Sequence, residues 1–160
     1  MKYDVPAEKQ VVDLLKAKGW HISFAESCTG GLAAATLVSV ADASWVLEAS
    51  AVTYSAEAKA KYAGVSLDTV ARYNVVSEEV AREMAAGIAR NNGAEVGVGV
   101  TGIAGPGGGD ELRPVGTVCF GFSVDGAVTT CTRHFGALGR NQVRQAAVDF
   151  VFETLLTLLR

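Results

Sequence analysis

An Asp125-Gly126 step between two β-rich stretches, residues 115–124 and 127–135, constrains this chain most. Asp-Gly supplies the positive φ angles that a two-residue hairpin turn demands, so these stretches are expected to pair antiparallel. Upstream, helix-periodic segments alternate with short strands, the pattern that builds parallel pairs through helical crossovers. The two together predict an α/β fold: a mixed sheet covered by helices, with one antiparallel hairpin, and not a pure doubly wound sheet.

The segments can be placed. Residues 6–18 carry Val11, Val12, Leu14 and Leu15 on one helical face, and Lys16, Lys18 and Gly19 make a helix stop. Residues 20–25 read as a first strand and 32–40 as a buried helix of small residues. Residues 49–54 read as a second strand, followed by a helix over 55–62 that Gly64 stops. Ser66 is expected to cap a short helix through Tyr73. Ser77, followed by Glu78 and Glu79, starts a helix that runs to Asn91 or Asn92, with Gly93 as its exit. The Gly/Val-rich run 95–101 reads as a third, buried strand. A closing helix over 140–159 puts Val143, Ala147, Phe150, Val151, Leu155 and Leu158 on its buried side. With 160 residues, 49% of them apolar and 19% charged, the chain has enough apolar material for one core, so a single domain over 1–160 is expected.

Composition narrows the function. A formal charge of −3 and the absence of any Lys/Arg run argue against a nucleic-acid partner. No apolar run reaches the roughly 18 residues of a membrane span, and Met1 to Pro6 lack the pattern of a signal peptide. The three cysteines, Cys28, Cys119 and Cys131, show no Cys-x-x-Cys spacing, so neither a disulfide framework nor a metal site is expected. Reduced thiols and a cytoplasmic location fit this pattern.

Ligands on open α/β sheets gather where strands hand over to loops. Three handovers stand out: Ser27-Cys28-Thr29-Gly30-Gly31 after the first strand, Tyr54 to Lys59 after the second, and Thr101 with the loop Gly102-Ile103-Ala104-Gly105-Pro106-Gly107-Gly108-Gly109-Asp110 after the third. They are expected to converge on one pocket. In the first, Ser27 or Thr29 either caps the following helix or Ser27 is a nucleophile whose neighbouring N–H groups stabilise an oxyanion. The motif is neither a Walker loop nor a dinucleotide fingerprint.

A serine nucleophile needs a base. His21 and His134 both fall within predicted strands, away from the loop ends. Lys59 lies about one helical turn past Tyr54 and is the better candidate. As a base it must be neutral, so its pKa must fall by roughly three units from about 10.4 through burial or a neighbouring cation such as Lys61. Tyr54 could relay a proton, or simply be a core aromatic. Cys28 competes as nucleophile, with Glu26 or Glu57 completing a Cys-Lys-carboxylate set. Arg113 and Arg140 are the cations to watch, Arg140 at a helix start suited to a phosphate.

The motifs Ala25-Glu26-Ser27-Cys28-Thr29-Gly30-Gly31, Val52-Thr53-Tyr54-Ser55-Ala56-Glu57-Ala58-Lys59, Val76-Ser77-Glu78, Thr101-Gly102-Ile103-Ala104-Gly105-Pro106-Gly107-Gly108 and Pro114-Val115-Gly116-Thr117-Val118 occur in this order. In this the chain resembles the C-terminal domain of the CinA competence/damage-inducible proteins, from about residue 8 to 158. The resemblance implies a three-layer α/β/α sandwich and a metal- and cofactor-free amidohydrolase. Its reaction would turn nicotinamide mononucleotide and water into nicotinate mononucleotide and ammonia. Carried over by position, Ser27 is the nucleophile, Lys59 its base and Tyr54 an assistant. Cys28, Thr29, Gly30, Gly31, Thr101, Gly102 and Gly105 line the substrate site, and Arg140 meets the phosphate. A homo-oligomer is implied as well. One step departs from the family, which usually has Gly-Asp/Asn-Arg where this chain has Leu138-Gly139-Arg140. The competing readings are a non-catalytic nucleotide- or phosphate-binding module and a protein-interaction module in competence or damage responses.

Overall fold

A computed structural model describes residues 4–160. The Asp-Gly turn forms as expected: Asp125 and Gly126 take φ of 49° and 84°, the pair of positive values that a type I′ hairpin needs. It joins β4 (Thr117–Val124) to β5 (Ala127–His134), which pair antiparallel from Val124↔Ala127 to Thr117↔His134.

The parallel half of the sheet is built from β1 (Ile22–Glu26), β2 (Leu47–Val52) and β3 (Val96–Gly102). Strand order is β2-β1-β3-β4-β5, with β1 parallel to both neighbours and β3 antiparallel to β4. The sheet is mixed and open. The C-terminal ends of β1, β2 and β3 therefore share one edge, and the start of β4 lies there too, through Gly102↔Val118.

Helices cover both faces. On one side lie α1 (Ala7–Lys18), α2 (Leu32–Val38) and α6 (Arg140–Leu159). Their apolar residues, among them Leu15, Val151, Phe152 and Leu155, meet Phe24, Phe120 and Phe122 of the sheet in the main core. On the other side lie α3 (Ala56–Ala63), α4 (Leu67–Tyr73) and α5 (Glu78–Asn92). This face is made of small residues. A Cβ at Gly97, Gly99 or Gly121 would strike the backbone carbonyl of Ala81 or Ala85, so α5 lies almost on the sheet. Gly87 likewise lets α5 press against Ala63 at the end of α3. The helix bearing Lys59 is wedged in place by these close contacts.

Several boundaries differ from the sequence reading. β1 starts at Ile22, β2 covers Leu47–Val52, and the helix expected over 32–40 ends at Val38 before a 3-10 turn at Ala43–Trp45. Tyr54 thus lies beyond its strand. Ser55 and Ser77 accept the N–H groups of Ala58 and Val80 as helix caps, but Ser66 makes no cap bond through its side chain. On α6, Val148, Phe152 and Leu159 are buried, while Phe150 and Leu158 pack only partly against the core. Among the described residues no helix is long and apolar enough to cross a membrane.

Candidate active site

β1 ends in Glu26, and Ser27 follows in a tight turn. Neither Ser27 nor Thr29 caps α2, against the simpler sequence expectation. The buried carboxylate of Glu26 does so from behind, accepting the N–H groups of Ala33 at 2.8 Å and Ala34 at 3.0 Å. The anion at this helix start is the chain's own.

Ser27 is held by its backbone: its N–H donates to Val100 O of β3, and its carbonyl accepts Gly30 N–H. Its Oγ lies 2.9 Å from Lys59 Nζ. Lys59 reaches across from α3 and is 1% exposed, and its Nζ also donates to Thr53 O at 2.6 Å. Burial lowers the Lys59 ammonium from its ordinary 10.5 to about 8. The other suggested cause, Lys61, is exposed with its Nζ over the Tyr62 ring. At pH 7 a group with this pKa is neutral in about a tenth of molecules, enough to serve as a base.

The pair opens into a cavity of about 320 Å³. Ser27 and Cys28 line it from the β1 turn, Tyr54 and Lys59 from beyond β2, and Thr101, Gly102 and Gly105 from β3 and its loop. Arg140 closes it from the start of α6, donating to Gly105 O at 2.7 Å and to Tyr54 Oη at 2.9 Å. The three handovers do converge. Arg140 reaches the cavity although Gly139, at φ 106°, offers no side-chain cap before it. Thr101 donates its hydroxyl to Val75 O, so it contributes structure as well as lining. Tyr54 is 62% exposed at the rim, not a core aromatic.

Thr29, Gly30 and Gly31, expected among the lining residues, do not line the cavity. Thr29 is fully buried, and the glycines form the turn behind Ser27. Of the N–H groups expected for an oxyanion, that of Gly30 is taken by Ser27 O, while those of Cys28 and Thr29 donate to no other residue among those described. Cys28 lines the cavity, but burial pushes its thiol up to about 11. Glu26 is engaged by α2 and Glu57 is exposed, so no carboxylate completes a cysteine set.

Arg144 escaped the sequence reading. From the second turn of α6 it donates to Cys28 O at 3.0 Å and Thr29 O at 2.9 Å. In the sequence, Glu26 stands out only as a partner for Cys28. A Glu two residues into a strand-to-turn motif carries no local sign of capping a later helix. Arg113 is a rim residue, tying the glycine loop to Val76 O and Tyr73 O.

A wider hollow of about 670 Å³ adjoins this cavity and shares Val76 and Arg113 with it. Its most prominent carboxylate, Glu78, is occupied by the hydroxyls of Thr130 and Thr132. It holds His134, whose Nδ1 lies 3.1 Å from Thr117 Oγ1, a hydroxyl that also donates to Pro114 O at 2.7 Å. His21 lies near Glu95, on the far end of β1 from Ser27. Among the described residues no group of three or more His, Cys, Asp or Glu side chains is placed to hold a metal ion.

Residues 4–159 match the family model of the CinA C-terminal domain. The chain is 48% identical over 143 residues to a protein of Enterobacter agglomerans named nicotinamide-nucleotide amidohydrolase PncC, covering 89% of this chain and 87% of that protein. It is 45% identical over 156 residues to a CinA-like protein of Kosmotoga olearia, covering 95% of this chain but only 38% of that longer relative. Among solved structures, a competence or damage-inducible protein of Enterobacter asburiae superposes with a TM-score of 0.92 at 34% identity, over 96% of both chains. The competence/damage inducible protein CihA of Agrobacterium tumefaciens gives 0.89 at 34% identity over the whole of both. With that match along nearly its full length, and a fold shared with those structures, the chain belongs to the CinA C-terminal domain family.

Proposed function

We propose that this chain is one amidase domain that hydrolyses the carboxamide of nicotinamide mononucleotide, giving nicotinate mononucleotide and ammonia, a step of pyridine-nucleotide salvage. The observation that carries the reading is the buried Ser27–Lys59 pair, Oγ to Nζ 2.9 Å, with the amine lowered to about 8. The name of the Enterobacter agglomerans relative supports the substrate.

In the neutral form of Lys59, Nζ keeps one N–H on Thr53 O and its lone pair accepts the Ser27 hydroxyl proton. Ser27 Oγ attacks the carboxamide carbon, and the free N–H groups of Cys28 and Thr29 receive the oxyanion. The C–N bond breaks as the Lys59 ammonium returns its proton to the leaving nitrogen, releasing ammonia and leaving an ester on Ser27. Water then gives a proton to Lys59 and attacks the ester. Ser27 leaves with that proton and the acid is freed. Tyr54 at the rim assists the leaving group. Arg140 binds the phosphate, a role its planar fork of donors suits. Gly102 and Gly105 let the loop backbone approach the substrate. The same reading carries a homo-oligomer in a reducing cytoplasm. Free thiols at Cys28, Cys119 and Cys131 support the compartment, and light scattering tests the assembly.

The test is ammonia release from nicotinamide mononucleotide by the purified chain and by Ser27→Ala. Turnover by the parent and its loss in the variant is the expected result. Tight binding of the nucleotide without turnover favours a binding module instead.

A further inference from the structure

The turn that carries Ser27 has all three of its carbonyls occupied. Ser27 O accepts Gly30 N–H at 3.0 Å, Cys28 O accepts Arg144 Nε at 3.0 Å, and Thr29 O accepts Arg144 Nη2 at 2.9 Å and Leu32 N–H at 3.0 Å. The two N–H groups between those carbonyls, of Cys28 and Thr29, donate to no other residue among those described. A trans peptide is planar and its N–H points opposite to its C=O. Fixing the carbonyl of Cys28 on Arg144 therefore fixes the direction of Thr29 N–H, away from α6. Fixing the carbonyl of Ser27 on Gly30 does the same for Cys28 N–H. The guanidinium is steadied in turn by Asn141 Oδ1, 3.0 Å from Nη1.

We infer that Arg144 is a positioning residue for catalysis: from α6 it locks the Cys28–Thr29 peptide plane, which carries the Thr29 N–H, and so keeps that donor of the oxyanion site in place before substrate arrives. This rests on the amidase reading above. Arg144 touches neither the cavity nor the substrate; it acts through the Cys28 and Thr29 carbonyls. Its planar fork reaches two adjacent carbonyls with two separate nitrogens in a fixed geometry, which a lysine's single nitrogen does not reproduce. Donors held in place before the reaction lower the barrier without tightening ground-state binding. The signature of this role is a fall in kcat with KM preserved.

The experiment is steady-state ammonia release by Arg144→Met, with Ser27→Ala as control and thermal unfolding to establish that the variant is folded. Losing one oxyanion donor costs about 100-fold or more in kcat elsewhere, and a loss of about that size is expected here, with KM within about threefold. The midpoint of the pH–rate profile stays at its parent value, since Lys59 is untouched. Added guanidinium ion recovers part of the rate. A kcat within threefold of the parent overturns the inference. So does a loss carried by KM, or a shifted pH midpoint. If Arg144→Met does not fold, Arg144→Lys serves: it keeps one of two carbonyl contacts and is expected to show an intermediate kcat, whereas the parent value overturns the proposal. If Ser27→Ala itself keeps releasing ammonia, the amidase reading of the site fails. If Ser27→Ala is inactive and Arg144→Met is normal, only the role of Arg144 fails.

Discussion

Two segments leave neighbouring parallel strands at the same sheet edge and face each other across the cavity, yet they are held in opposite ways. The turn after β1, from Ser27 to Gly31, is short and its carbonyls are consumed by Gly30, Leu32 and Arg144, with Glu26 anchoring the helix that follows. Ser27, Cys28 and Thr29 are all buried. The loop after β3 runs from Ile103 to Gly116, and its tip is exposed, with Leu112 83% accessible. Backbone bonds close its base, among them Ile103 N–H to Thr117 O and Gly116 N–H to Ile103 O, while further out it is held mainly by side chains: Arg140 at Gly105, Arg113 to Val76 and Tyr73, and an Asp110 turn that accepts Leu112 and Arg113 N–H. In the proposed reaction the rigid segment carries the nucleophile, whose chemistry tolerates little displacement. The exposed one would, on the same proposal, border the substrate's way in and out. The comparison predicts that damage to the turn falls on kcat and stability, and damage to the loop falls on KM.

The largest effect is expected at Lys59, the proposed base, which faces the rigid turn. Lys59→Met removes proton transfer and should lower kcat by about 1,000-fold or more. In the parent, log kcat/KM should rise with pH and level off above about 8, as Lys59 loses its proton. Stability should move the other way in the variant. Lys59 binds its proton less tightly folded, at about 8, than its ordinary 10.5, so folding is penalised below pH 8 and the penalty is lifted as pH rises towards 10.5. The full difference is about 3 kcal/mol, since each pKa unit is worth about 1.4 kcal/mol. Cys28, raised to about 11 from 9.0, stays protonated longer when folded and opposes this trend above pH 9. The clean window is therefore pH 8–9, where denaturant midpoints of the parent should rise and those of Lys59→Met should not. A flat parent curve, with activity intact in Lys59→Met, breaks the assignment.

Next in size come Glu26 and Arg140, one on each side of the comparison. Glu26→Ala leaves the Ala33 and Ala34 N–H groups without their buried acceptor. This should cost about 2–3 kcal/mol of stability, with kcat reduced and KM little changed. Arg140→Met should raise KM for the nucleotide by about 30-fold, the cost of a charge-assisted contact, with a smaller change in kcat. Kinetics on both variants sharpen the contrast. If Arg140→Met falls on kcat alone, its bond to Tyr54 matters more than the phosphate, and the loop is not merely a binding element.

The comparison also marks what the sequence could disclose. The hairpin was legible because Asp125-Gly126 has a local requirement that few residue pairs meet. The convergence of Ser27, Lys59 and Thr101 was legible because strand ends that precede helices share an edge in a parallel sheet. The Ser27–Lys59 bond follows from Lys59 lying one turn into a helix whose start is fixed by the Ser55 cap. What was not legible acts over long sequence separations. Arg144 meets Cys28 and Thr29 across 116 and 115 residues. Glu26 looked like a strand-end carboxylate, and its partners are backbone N–H groups that no residue type announces. In the sequence, Thr29, Gly30 and Gly31 suggest a substrate contact because two glycines at a helix start can present backbone N–H groups to an anion. Here they serve the turn itself, with φ of 59° and 98° at the two glycines. The exposure of Tyr54 turned on a strand ending two residues early, which propensity does not resolve.

The smallest expected effect decides whether sulfur takes part. Cys28 is 5% exposed, lines the cavity, and has its thiol pushed up to about 11 by burial. At pH 7 about one molecule in ten thousand would carry the thiolate, and it is the thiolate that attacks. Its backbone does the work in the turn, through an N–H and a carbonyl that alanine supplies equally well. Cys28→Ala should therefore keep kcat within about threefold and lose about 1 kcal/mol of stability for the atoms removed from the core. The parent enzyme should also resist iodoacetamide at pH 7 over a time in which an exposed thiol, such as glutathione, is consumed. Inactivation by iodoacetamide that tracks modification of Cys28, together with a Cys28→Ala loss as deep as that of Ser27→Ala, would transfer the nucleophile to sulfur. Because both residues lie on the same locked turn, the contrast between turn and loop would survive that outcome, and only the identity of the attacking atom would change.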